Sequence, residues 1–234
     1  MNDAYKLKYL VVGTGRCGTA FMARLLSESG TLCTHEAFYT PKGASFAAEG
    51  LEGKRKIRCS AISLTQGAWV HENNKIQAES SYMAAPFLQD KKLSSTKIIH
   101  VVRNPLKVIS SFVKDLKYFR SDKPTNEYEK FIWNYIPSLS EIKDKYSRAA
   151  HYYVEWNSLI EEYAVKENYF FVNVESDSSE VLKNLDISSS AIMADNIPKN
   201  SRKKRFFDIK SSHIKNKPVR EKLLELSKRY GYEI

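Results

Sequence analysis

Seven consecutive residues, Gly13-Thr14-Gly15-Arg16-Cys17-Gly18-Thr19, combine backbone freedom with a fixed cation. Glycines let backbone N–H groups close on an anion. Arg16 offers a planar fork of donors, and Thr19 adds a hydroxyl. The flanking residues dictate how such a turn is held. Tyr9-Leu10-Val11-Val12 is an apolar, β-branched run, which predicts a buried strand. Phe21, Met22, Leu25 and Leu26 recur at helical spacing, and Gly30 stands where a helix C-cap glycine would. Strand, glycine turn and helix make a phosphate cradle, because a helix start adds unpaired donors and the positive end of its dipole. A phosphorylated ligand is therefore expected on Gly15, Arg16, Cys17, Gly18, Thr19 and Ala20.

Three kinds of phosphate loop compete. Gly13 and Gly18 have the spacing of a nucleoside-triphosphatase loop, but Thr19 stands at its lysine and Ala20 at its magnesium-binding hydroxyl. A small-molecule kinase using ATP with Mg²⁺ fits poorly. Gly13, Gly15 and Gly18 also match the dinucleotide fingerprint, with Glu36 about where a ribose-binding acid would sit. That NAD reading leaves a second signature unexplained. The third reading is that Arg16-Cys17-Gly18-Thr19 resembles the basic–x–Gly–Thr loop of sulfotransferases, which holds the 5′-phosphosulfate of 3′-phosphoadenosine-5′-phosphosulfate (PAPS). A metal-free loop needs its own cation, and Arg16 supplies one.

The second signature is KIIHVVRNPLKVISSFVKDL, residues 97–116. Lys97–Val102 reads as a strand. Asn104 suits a helix N-cap and Pro105 the first helical position, with Leu106, Ile109, Val113 and Leu116 on one face. Arg103 then sits at a strand's carboxyl end, where parallel sheets bind ligands. Ser111 follows eight residues later, about two turns into the helix. The pair resembles the sulfotransferase 3′-phosphate motif, and the resemblance implies that Arg103 and Ser111 hold that phosphate. It also implies that basic residues of Lys199, Arg202, Lys203, Lys204 and Arg205 return to the cofactor, with Arg202 and Lys203 the named candidates.

On the acceptor side, a strand over Thr31–His35 leads into His35-Glu36-Ala37-Phe38-Tyr39. Glu36-Ala37-Phe38 is similar to the segment that supplies the catalytic base of glycan sulfotransferases. A carboxylate there can take the proton of an attacking hydroxyl. His35 is the neighbouring candidate, as a base, a core histidine or a group that orients Glu36. Glu79 is the second carboxylate: Ala78-Glu79-Ser80-Ser81-Tyr82 looks like the Glu–x–Ser/Thr–x–x–Tyr segment of carbohydrate sulfotransferases, one residue short and with Ser80 in place of lysine. Residues 37–74, broken by glycines and carrying Lys54-Arg55-Lys56-Ile57-Arg58, read as a solvated stretch or as an acceptor loop or flap.

The elements that must position these groups are five predicted strands: Tyr9–Val12, Thr31–His35, Lys75–Ala78, Lys97–Val102 and Tyr169–Val174. Helices are predicted between them, over Ala84–Lys91, around Tyr128–Tyr135, along Ala149–Ala164 and after Pro218. Alternation of this kind predicts an α/β fold, a central parallel sheet of about five strands flanked by helices. The resemblance makes it a three-layer fold like that of P-loop NTPases, as a single domain over residues 1–234.

Composition sets limits. The 234 residues are 42% hydrophobic and 27% charged, as in a globular domain. No stretch approaches a membrane span, and no secretion signal is visible at the start. Cys17, Cys33 and Cys59 are odd in number and lack metal spacing, which suggests reduced thiols in a cytoplasmic protein. A helix N-terminus could activate Cys17 as a nucleophile, though related loops carry a small side chain there with no catalytic role. A net charge of +10 favours anionic ligands without choosing among them. A nucleic-acid-binding module is the non-enzymatic alternative, and it lacks a recognised motif. The resemblance implies transfer of a sulfuryl group from PAPS, without a metal, to a hydroxyl or amine of a carbohydrate or other small-molecule acceptor. Oligomeric state is not legible.

Overall fold

Five runs pair into one sheet: β1 (Tyr9–Gly13), β2 (Cys33–His35), β3 (Ala78–Ser80), β4 (Lys97–Val102) and β5 (Tyr169–Asn173), of which β1, β4 and β5 are rich in β-branched and aromatic residues. The computed structural model describes residues 5, 7–57, 76–185, 187 and 209–234. They group into two compact units. The first, Met1–Val102 with Ile160–Ser201, contains the whole sheet; the second, Arg103–Leu159 with Arg202–Ile234, is helical among the described residues.

Every strand pairing is parallel, in the order β2-β3-β1-β4-β5. This is the expected α/β fold of P-loop type, with helices flanking a parallel sheet. The order also bears on the glycine fingerprint. In a dinucleotide fold β2 lies beside β1; here β3 separates them. Central β1 is buried at all five positions, as a strand covered on both faces must be. Helix α1 (Thr19–Glu28) buries Phe21, Met22, Leu25 and Leu26, packs on β1, β2 and β3, and is followed by Gly30 at φ 86°.

Strands β1 and β5 end within one residue of their expected ends, and larger differences from the sequence reading occur elsewhere. Strand β2 begins at Cys33 instead of Thr31. Strand β3 runs Ala78–Ser80 instead of Lys75–Ala78; Lys75 itself lies outside the described residues. Its register on β1, Tyr9 with Ala78 and Val11 with Ser80, draws Glu79 and Ser80 into the sheet, where both are buried and hydrogen-bonded. The helix expected over Ala84–Lys91 is a 3-10 turn over Tyr82–Phe87. Pro86 lies inside it and has no N–H to extend an α-helical ladder. Within residues 37–74, a helix α2 (Ala44–Leu51) forms that the scattered glycines had hidden.

In the second unit, α3 (Pro105–Ser110) opens as predicted, with Asn104 Oδ1 accepting from the Lys107 N–H at 3.2 Å. It then widens into a π-helical turn over Ser111–Leu116. The buried face consists of Val108, Ile109, Phe112 and Val113, and Leu106 and Leu116 are only partly covered. Helices α4 (Glu127–Tyr135), α5 (Lys145–Tyr163) and α7 (Lys217–Arg229) follow the predicted patterns; α6 (Ser178–Asn184) belongs to the first unit. Phe112, Phe119, Tyr152 and Trp156 form an aromatic core, with Phe112 and Tyr152 edge-on at 5.1 Å.

The loop between the π-turn and α4 is fixed by two buried charges. Glu129 accepts from the N–H groups of Phe119 (2.6 Å) and Thr125 (2.8 Å). Arg148 donates to the carbonyls of Phe119 (3.2 Å) and Ser121 (2.5 Å). Substituting Glu129 by Ala should lower unfolding free energy by about 1–3 kcal/mol for each buried donor left stranded. The measurement is a urea midpoint at unchanged slope; an unchanged midpoint would show that this carboxylate does not hold the loop.

Candidate active site

The glycine turn leaves β1 at a point of close approach. A Cβ on Gly13 would lie 2.3 Å from the Val101 carbonyl oxygen of β4 and 2.6 Å from Cys17 Sγ. No side chain fits there. Gly18, at φ 114°, occupies the N-cap of α1 in a left-handed conformation, and a Cβ would meet Val174 at 2.5 Å. Arg16 also adopts positive φ, 68°. The Cys17 N–H donates to the Thr14 carbonyl at 3.3 Å and closes the turn. Cys17 is fully buried with its sulfur against Gly13, so it packs as a small core side chain. Gly15 is buried, Arg16 and Gly18 are partly exposed, and Ala20 is exposed at the helix start.

Thr19 ties the loop to the end of β2. A hydrogen bond of 3.2 Å joins its hydroxyl to His35 Nε2, and the Ser80 hydroxyl donates to its carbonyl at 2.8 Å. His35 Nε2 lies 3.7 Å from Glu36 Oε1. Burial holds the His35 pKa down at about 4, helped by the nearby charge of Arg24. Near neutral pH the imidazole is therefore uncharged, and its contact with Glu36 is not an ion pair. Burial pushes the Glu36 carboxyl up to about 7, against the pull of the Arg16 guanidinium. A carboxylate that gains and loses its proton near neutrality is suited to general base work. Glu36 itself sits at φ 52°, and its N–H donates to the Ser80 carbonyl at 3.1 Å.

Glu79 is fully buried. Its Oε1 accepts from the N–H groups of Ala37 (2.8 Å) and Phe38 (3.0 Å), and its other oxygen from the Thr34 hydroxyl. Burial raises its pKa to about 7 in spite of these bonds.

Arg103 directly follows the carboxyl end of β4, and its carbonyl accepts from the Tyr153 hydroxyl at 2.9 Å. Ser111 is buried at the start of the π-turn and donates to Asp115 Oδ2 at 2.9 Å. Arg202 and Lys203, with Lys199, Lys204 and Arg205, lie outside the described residues, as do Cys59 and Arg58. The described residues thus bring together the glycine turn, His35, Glu36 and Glu79.

Two participants escaped the sequence reading. Arg24 lies one helical turn beyond Ala20, a spacing that could have drawn notice. Thr14 has a fully buried hydroxyl with no hydrogen-bond partner among the described residues, which no sequence pattern announces. Among the described residues no three His, Cys, Asp or Glu side chains cluster as metal ligands, and no helix is long and apolar enough to cross a membrane.

A comparison with curated protein sequences finds no match. Among solved structures, the chain is similar to a sulfotransferase from Alicyclobacillus acidocaldarius, 12% identical over 94% of this chain and 95% of that one, with a TM-score of 0.48. The model of the sulfotransferase domain matches residues 6–176, well over half of the sequence and all of the glycine turn, β2, β3 and β4. By that match the chain belongs to the sulfotransferase domain family, and so to the transferases.

Proposed function

We propose that the protein transfers the sulfuryl group of PAPS to a hydroxyl of a carbohydrate or other small-molecule acceptor. The observation that carries this reading is the convergence of loop and base. Thr19 of the glycine turn is hydrogen-bonded to His35, and the Glu36 carboxyl lies within the electrostatic reach of Arg16. In this reading the backbone donors of residues 15–20 and the Arg16 guanidinium hold the phosphosulfate. The acceptor oxygen attacks sulfur and forms a new S–O bond. The S–O bond to the 5′-phosphate breaks, and its electron pair leaves on the phosphate oxygen, where Arg16 and the helix start stabilise it. Glu36 takes the acceptor proton. Arg103 and Ser111 hold the 3′-phosphate, whose charge distinguishes this donor from ordinary nucleotides; Arg202 and Lys203 are assigned to the same group. The carbohydrate assignment rests on the Glu36-Ala37-Phe38 and Glu79-Ser80-Ser81-Tyr82 segments. Three cysteines, odd in number and without metal spacing, support a reducing compartment such as the cytoplasm.

Replacing Arg16 by Ala should lower the transfer rate by about 10²–10³-fold if it stabilises the leaving phosphate; unchanged turnover would remove it from that role. Arg103→Ala should weaken 3′-phosphoadenosine-5′-phosphate far more than 5′-AMP in calorimetry, and equal losses would contradict a 3′-phosphate contact. Thermal shifts with ATP and Mg²⁺, NAD and a short DNA serve as the competing arms. A ligand at a hundredfold excess over its Kd stabilises by about 2.7 kcal/mol.

The pH dependence has a definite sign. A base must be ionised, so kcat/KM should rise through a pKa of about 7 and level above it. An anionic donor beside Arg16 offsets the pull that lowers the Glu36 pKa. The corresponding limb of kcat should therefore lie at higher pH than that of kcat/KM. In Glu36→Gln the limb should vanish together with most turnover, while product-nucleotide affinity stays. A Glu36→Gln enzyme with full turnover and the same limb would shift the base to another residue.

A further inference from the structure

The backbone that carries Glu36 is gripped from both sides by side chains of opposite charge. On one side is the Glu79 carboxylate, whose Oε1 accepts from the Ala37 and Phe38 N–H groups. On the other is Arg55. One guanidinium nitrogen donates to the carbonyls of Ala37 (3.2 Å) and Phe38 (3.3 Å), while its Nε donates to the Phe46 carbonyl at 2.8 Å. The peptide between Ala37 and Phe38 is thus held at both ends, its N–H by Glu79 and its C=O by Arg55. The guanidinium is itself placed: it lies 3.6 Å over the Phe46 ring of α2, and Gly50 leaves it room, since a Cβ there would come within 2.8 Å of it. The next two residues after Glu79 continue the grip, Ser80 through its carbonyl to the Glu36 N–H and Ser81 through its hydroxyl to the Tyr39 carbonyl at 3.0 Å.

This grip has something to oppose. Glu36 stands in the left-handed region at φ 52°, a strained conformation for a residue with a Cβ. Released, the backbone would relax toward ordinary φ values and carry the Glu36 carboxyl away from Arg16 and His35. Glu79, with its acceptor bonds turned to Thr34 and to the backbone of residues 37–39 and no exposed surface, has no access to an acceptor molecule.

We propose that Glu79 and Arg55 are positioning residues for the transfer reaction: together they hold residues 36–38 in the one backbone conformation that aims the Glu36 carboxylate at the glycine turn. The proposal rests on Glu36 as the base. It gives Arg55, one of five residues in a basic run that reads as solvent-facing or as a flap, a defined task. It moves Glu79 from the reacting atoms to the support behind them.

The test compares Arg55→Ala, Arg55→Lys and Glu79→Gln with the parent and with Glu36→Gln, measuring kcat, KM, the pH profile and the Kd of 3′-phosphoadenosine-5′-phosphate. Misplacing a catalytic group by about an ångström costs up to about 10²-fold. Arg55→Ala and Glu79→Gln should each lose about 10–10²-fold in kcat with product-nucleotide Kd unchanged, and the pH limb near 7 should move. Arg55→Lys, which cannot span both carbonyls, should recover only part. Each change should cost no more than about threefold in the Glu36→Gln background, because its effect passes through that carboxylate. Retained kcat in Arg55→Ala, or an equal loss with and without Glu36, overturns the proposal. If Glu36→Gln alone keeps full activity, the assignment of the base fails first, and that arm reports it independently. Should Glu79→Gln not fold, the two variants of half-exposed Arg55 decide the question.

Discussion

Everything in the first unit depends on how tightly β1 meets β4 at their carboxyl ends. The two strands pair from Tyr9 with Lys97 to Gly13 with Val101, and at that last pair there is no room for a side chain. The chain leaving β1 must therefore turn at a glycine, and it turns straight into a helix whose first N–H groups have no partner within the helix. A parallel sheet gathers such turns at one end, because each crossover returns the chain to the same starting side. The glycine turn, His35 with Glu36, Ser81 and Arg103 all follow carboxyl ends of strands for this reason.

Loops have many peptide groups and few apolar side chains, so hydrophobic burial alone does not fix them. Each unit answers with an acid and an arginine, all of them buried except the partly exposed Arg55. Glu79 and Arg55 hold residues 37 and 38; Glu129 and Arg148 hold the stretch from Phe119 to Thr125. In each case the carboxylate takes backbone N–H groups and the guanidinium takes backbone carbonyls. Buried ions are costly unless their hydrogen-bonding capacity is satisfied, and peptide groups satisfy it without adding charge. Leaving one partner unpaired is then far worse than the modest net gain of making the bond. This is why such loops tolerate little change in the residues behind them.

Electrostatics at the candidate active site follow from the same burial. Desolvation disfavours whichever form is charged, so it lowers His35 and raises Glu36. Two adjacent groups that would ordinarily carry opposite charge near pH 6 are thereby driven toward neutrality. Arg24 adds to this effect by favouring the neutral imidazole, while Arg16 opposes it by favouring the ionised carboxylate. Thr19 and His35 keep a neutral hydrogen bond between the phosphate loop and the base, a link that adds no charge where an anionic donor would sit.

Sequence alone determined the elements whose signal is local. The apolar run before Gly13, the helical spacing after Thr19, and the Asn104-Pro105 start each depend on near neighbours, and each forms where the residues say. The glycine turn was legible because closeness to backbone admits only glycine, and the pattern of those glycines survives in one dimension. What the sequence did not hold was anything set by partners distant along the chain. The start of β3 depends on its register against β1, nearly seventy residues earlier. The helix expected after it gave way at Pro86, and α2 was masked by glycines: Gly50, which packing requires, and Gly43 and Gly53, which stand at positive φ. Glu79 and Arg55 look in sequence like a second catalytic carboxylate and a solvated cation. Only the fold reveals that they face the same peptide group from opposite sides, because hydrogen bonds between residues so far apart along the chain, 42 for Glu79 to Ala37 and 18 for Arg55 to Ala37, leave no periodicity to read.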